Sequence, residues 1–86
     1  MPVVIQKIKS GTITAPQEIS YYFREIDVIT NDDEKNDLTV TFYDRSGVQA
    51  GSFVIKPGES LNDVEFPGSK IGFAGTKVNA RYILLG

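Results

Sequence analysis

Turn-forming residues punctuate this chain every few positions. Ser10-Gly11, Ala15-Pro16, the polar stretch 31–37, Arg45-Ser46-Gly47, Lys56-Pro57-Gly58, Pro67-Gly68 and Gly75 divide it into runs rich in Val, Ile, Thr, Phe and Tyr. The runs are about 5–10 residues long, the ordinary length of a strand. Such punctuation leaves room for one helix at most, between Pro16 and Thr30. It predicts an all-β protein of about eight short antiparallel strands, a β-sandwich of jelly-roll or immunoglobulin-like type. The expected strands are 3–9, 12–14, 16–30, 38–43, 48–56, 63–66, 70–74 and 77–85.

The clearest element is a hairpin over 38–55. Leu38, Val40 and Phe42 alternate with Thr39, Thr41 and Tyr43, so one face is apolar and the other is not. Asp44-Arg45-Ser46-Gly47 supplies a turn with Asp in first place and Gly in last. Pro57-Gly58 ends the return strand, because proline has no N–H for the ladder.

Residues 16–30 admit two readings. Ile19, Tyr22, Phe23, Ile26 and Ile29 follow helical spacing after Pro16. As a strand, Ile19, Tyr21 and Phe23 face one way and Ile26 and Val28 the other, which requires a bulge near Arg24-Glu25 to switch phase. Seven of the eleven residues from 19 to 29 are β-branched or aromatic, which favours the strand.

Eighty-six residues fit one domain, 1–86. A chain this short buries only about 60–65% of its unfolded surface, and with no cysteine it has no disulfide or thiolate metal site to compensate. Either the core is well packed, then, or part of the apolar surface is buried against another chain. No apolar run in the first twenty residues exceeds Val3-Val4-Ile5, so no secretory signal is expected. Tyr82-Ile83-Leu84-Leu85, the longest apolar run, is far below a membrane span. A cytoplasmic or virion location fits these features.

Histidine and cysteine are both absent, which removes the two commonest catalytic side chains. No catalytic residue and no cofactor is expected. The nine basic residues are scattered singly, whereas nucleic acid demands clustered positive charge. Asn31-Asp32-Asp33-Glu34-Lys35-Asn36-Asp37 is the one dense carboxylate run, but it lacks the glycine and distal glutamate of a calcium loop. It reads as a solvated connection, and no metal site is assigned. Within Tyr21-Tyr22-Phe23-Arg24, alternation lets at most Tyr22 and Arg24 share an exposed surface. Gly68, Gly72 and Gly75 lack phosphate-loop spacing and read as bulges or close backbone approaches.

The chain ends are apolar on both faces. Val78, Ala80, Tyr82 and Leu84 share one side of the last strand, with Ile83 and Leu85 on the other; Val3 and Ile5 share a side near the start, backed by Val4. Strands of this kind are normally covered on both sides. Either loops cover these terminal strands or another subunit does; on the second reading the candidate interface is Val3, Val4, Ile5, Tyr82, Ile83, Leu84 and Leu85, with the chain itself as partner in a homo-oligomer, first expected to be a trimer.

Three stretches around the hairpin carry a resemblance: Asp27-Val28-Ile29-Thr30-Asn31, Leu38-Thr39-Val40-Thr41-Phe42-Tyr43-Asp44 with Gly47, and Ser52-Phe53-Val54-Ile55-Lys56-Pro57-Gly58-Glu59-Ser60. Together they resemble small immunoglobulin-like or jelly-roll domains and, more loosely, β-sandwich proteins of tailed-phage particles such as capsid decoration, head-fibre or tail modules. That resemblance implies a non-catalytic virion accessory protein whose partners are copies of itself and other virion proteins. A carbohydrate-binding module using Tyr22 or Tyr43 is the alternative, and a single-strand nucleic-acid-binding barrel the next.

Overall fold

A computed structural model describes residues 7–86. The expected strand at 3–9, with Val3, Val4 and Ile5, therefore lies largely outside the described residues. Among those described there is no helix. The strands are β1 (Ile8–Ile13), β2 (Gln17–Asn31), β3 (Leu38–Asp44), β4 (Gln49–Ile55), β5 (Ser60–Ala74) and β6 (Ala80–Leu85). All six join one antiparallel sheet in the order β1-β6-β2-β5-β3-β4.

The strand reading of 16–30 holds, and so does its bulge. The register of β2 against β5 shifts between Ser20 and Phe23 and again between Phe23 and Glu25. Phe23 and Ile26 are thereby both buried. Val28 departs from expectation, because a further shift against β6 falls between Ile26 and Val28. That irregularity sends Ile29 inward in its place, and Val28 stays half-buried.

The described residues form six strands where eight were expected over the chain, because two turn signals lie inside strands. β1 runs straight through Ser10-Gly11, and the Tyr82 ring of the neighbouring strand covers Gly11. β5 runs through Pro67-Gly68. Pro67 falls where the ladder with β2 slips between the pairs Phe23–Gly68 and Glu25–Glu65, a position that tolerates a missing N–H. The tip of the Phe23 ring sits over Gly68, so that a Cβ there would overlap it.

The sheet folds over on itself. Phe73 pairs with Gln17 and Tyr82 with Ile29, positions 12 residues apart on β2, which a straight strand would hold about 40 Å apart. Yet the Phe73 and Tyr82 rings lie 5.8 Å apart. The bulged middle of β2 and β5 is the fold line, and the inner face closes around Phe23, Ile26, Ile29, Leu38, Val40, Ile71 and Leu84. The β3–β4 hairpin turns as its residues predict: Gly47 N–H donates to the Asp44 carbonyl (2.9 Å) with Gly47 at φ +82°.

Candidate self-association surface

The last strand alternates cleanly. Ala80, Tyr82 and Leu84 are buried on the inner face, while Ile83 and Leu85 sit half-buried on the outer one. Register extends the outer patch sideways: Leu85 stands beside Ile8, and Ile83 between Ser10 and Val28. Ile8 is 64% exposed. The molecule is 17 Å across its shortest axis, enough for two layers about 10 Å apart and too thin for a third. Ile8 is the mostly exposed member of this patch, while Val28, Ile83 and Leu85 show solvent only part of their side chains. Tyr82 and Leu84 belong to the core, where burial pushes the Tyr82 hydroxyl pKa upward.

The acidic loop is more organised than a solvated connection. Asn31 is buried; its Nδ2 donates to the carbonyls of Asn36 and Ile55 (2.9 Å each), and its Oδ1 accepts from the Asp33 N–H (3.0 Å). Asp33, also buried, accepts at Oδ2 from the Lys35 N–H (3.0 Å), the Asn36 N–H (2.7 Å) and the Asn36 side-chain amide (3.0 Å). The backbone bonds from Asn36 and Lys35 hold its carboxyl below the usual carboxylate range. Asp32 grips Arg81 with both oxygens (2.6 and 3.0 Å), which raises the arginine pKa further. A polar hollow lined by Asp32, Glu34, Lys35, Lys77 and Asn79 adjoins the loop. It mixes charges of both signs, and no buried polar side-chain atom among the described residues lacks a partner.

A second acidic grouping escaped the sequence reading. Glu25, Asp27 and Asp63 can each bring a carboxylate oxygen within 4.8 Å of the others. Asp27 and Asp63 stand opposite each other between the pairs Ile26–Val64 and Val28–Asn62, and Asp63 has φ +53°. Among the described residues this is the one place where three carboxylates could share a cation. All three are at least partly solvated. The clue in the sequence was the Glu25-x-Asp27 spacing, but its third member emerges only from the register.

Of the tyrosine candidates, Tyr22 is 67% exposed, with Arg45 rather than Arg24 over its ring at 5.3 Å. Arg24 instead donates to the Gly86 carbonyl (3.2 Å). Tyr43 is half-buried and carries Lys70 4.2 Å from its ring centre. No helix among the described residues is long and apolar enough to cross a membrane. Searched against protein-family models, curated protein sequences and solved structures, the chain matches none of them.

Proposed function

We propose that this protein is a non-catalytic structural module that assembles with copies of itself, as accessory proteins of tailed-phage particles do. The supporting observation is the partly exposed outer patch of Ile83 and Leu85, flanked by exposed Ile8 and by Val28. Full burial of an aliphatic side chain contributes about 1.5–3 kcal/mol. Ile83 and Leu85 are mostly buried already, so each retains at most about a third of that for association. We read the folded-over sheet as a sandwich-like pair of layers, the architecture the hairpin's resemblance implies; the virion assignment extends that same resemblance. Sugar binding has weaker support, since Lys70 and Arg45 already occupy ring faces of Tyr43 and Tyr22.

Light scattering after size exclusion tests the reading. The wild type should elute at a multiple of 9.5 kDa, with a trimer the first expectation. Ile83→Asp and Leu85→Asp should reduce the mass while leaving the β circular-dichroism signal intact, because both side chains point away from the core. A wild type that stays monomeric at about 100 μM would overturn the assembly reading, since weaker association is a poor basis for a free oligomer.

A further inference from the structure

The sheet has a second exposed feature, its edge at β4. Among the described residues this strand pairs on one side only, with β3. Sheet edges are usually blunted by charge, proline or a bulge; residues 47–55 contain no charge and no proline, and the one bulge, at Ala50, leaves 51–55 in regular register. Val48, Phe53 and Val54, at 61%, 49% and 57% exposure, lie on this edge or at its start. An apolar edge with free backbone groups is a template for strand addition.

We propose that β4 seats the β4 of a second copy, the two strands pairing antiparallel about a two-fold axis through Ser52. This shares with the preceding reading only the premise that copies of the chain associate, and it uses a different surface. The register follows from how the chain treats its inner-face glycines. Gly11 and Gly68 each lie under an aromatic ring from the residue directly opposite, Tyr82 and Phe23. Gly51 also sits on the inner face, two and four positions from Phe53 and buried Ile55. It has nothing within 4 Å of where a Cβ would be. Its β3 partner Phe42 packs instead against Phe53 and Phe66.

Pairing about Ser52 sets Gly51 of each copy opposite Phe53 of the other, repeating the covering used twice within the chain. Charge agrees with this register. The uncharged run 47–55 meets its own copy with no like charges opposed. Beyond it, Arg45 donates to the Phe23 and Gly68 carbonyls of its own chain (2.8 and 2.9 Å) and Lys56 is paired with Asp37 at 3.7 Å, so both charges are already engaged. The occupant is thus an uncharged strand with an aromatic two positions from a glycine, which this edge itself provides.

The test uses the absence of native cysteine. In this register the two Ser52 Cα atoms face each other about 4.5–5.5 Å apart, within disulfide reach. On oxidation Ser52→Cys should form a covalent dimer, while Ser20→Cys, an exposed serine on β2, should remain monomeric under the same conditions. Gly51→Val fills the seat for Phe53 without strain in the single chain, since the site is open and its φ is not positive. It should raise the melting temperature yet weaken association about tenfold, the equivalent of about 1.4 kcal/mol. Cross-linking of Ser52→Cys no faster than of Ser20→Cys, or unchanged association in Gly51→Val, would overturn the edge proposal. Loss of association in Ile83→Asp alone would do the same and leave the outer-face reading standing. The reverse pattern would keep the edge and remove the outer face.

Discussion

In the loop between β2 and β3, the buried carboxylate of Asp33 accepts three hydrogen bonds, and the Asn31 amide ties that loop to Ile55. On the middle of β2 and β5, Glu25, Asp27 and Asp63 approach one another at a kinked stretch of backbone. Both groupings are acidic, and they act on the fold in opposite directions. The loop's charge is matched by donors from its own backbone, so it stabilises. The strand trio sets like charges across a ladder, which destabilises. Local charge density thus says little about whether carboxylates support a fold; the count of donors facing them decides.

Asn31→Ala should break the first half of that comparison with the largest effect. It leaves the Ile55 carbonyl and the Asp33 N–H without their partner, and a buried unsatisfied group costs about 1–3 kcal/mol. Urea denaturation at neutral pH measures the loss. A change below about 0.5 kcal/mol would show that water replaces the amide and that the loop is peripheral.

Acid should act on the same loop more gently. The Asp33 carboxyl lies below its usual range in the folded chain, so its stabilising contribution is complete above the unfolded value near pH 4. That contribution is lost as pH falls through the lower folded value. Asp33→Asn removes the titration. Its stability deficit against wild type should be greatest near neutrality and shrink as pH falls below about 4, as paired denaturation curves would show. A deficit independent of pH would mean that shape, not charge, is what the three donors require.

Much of this was legible in the sequence, for local reasons. The Asp44–Gly47 turn and the alternation of Leu38, Val40 and Phe42 are contained within a few residues, and both appear where expected. The bulge near Arg24 could be inferred because Phe23 and Ile26 cannot both point inward on a regular strand. Ser10-Gly11 and Pro67-Gly68 misled because what keeps the strand going there is a ring or a register slip on another strand. The same holds for the sites. The patch around Ile83 and Leu85 follows from alternation alone. The Asp27–Asp63 pairing and the free edge at β4 depend on strand order, which local patterns do not encode.

The smallest expected effect sharpens the second half of the comparison, because it separates charge from backbone strain at Asp63. Asn tolerates the left-handed region about as well as Asp, so Asp63→Asn removes only the charge. Relief of one like-charge contact across a ladder should gain about 0.2–1 kcal/mol. Asp63→Gly removes the charge and also suits φ +53°, adding a few tenths more after glycine's greater unfolded-state entropy is counted. The gain in Asp63→Asn should shrink between about 0.01 M and 1 M salt, as the screening length falls from about 30 Å to 3 Å. The extra gain in Asp63→Gly should not. If neither variant is more stable than wild type at low salt, Asp27 and Asp63 turn away from each other in solution, and the two acidic groupings differ in position only.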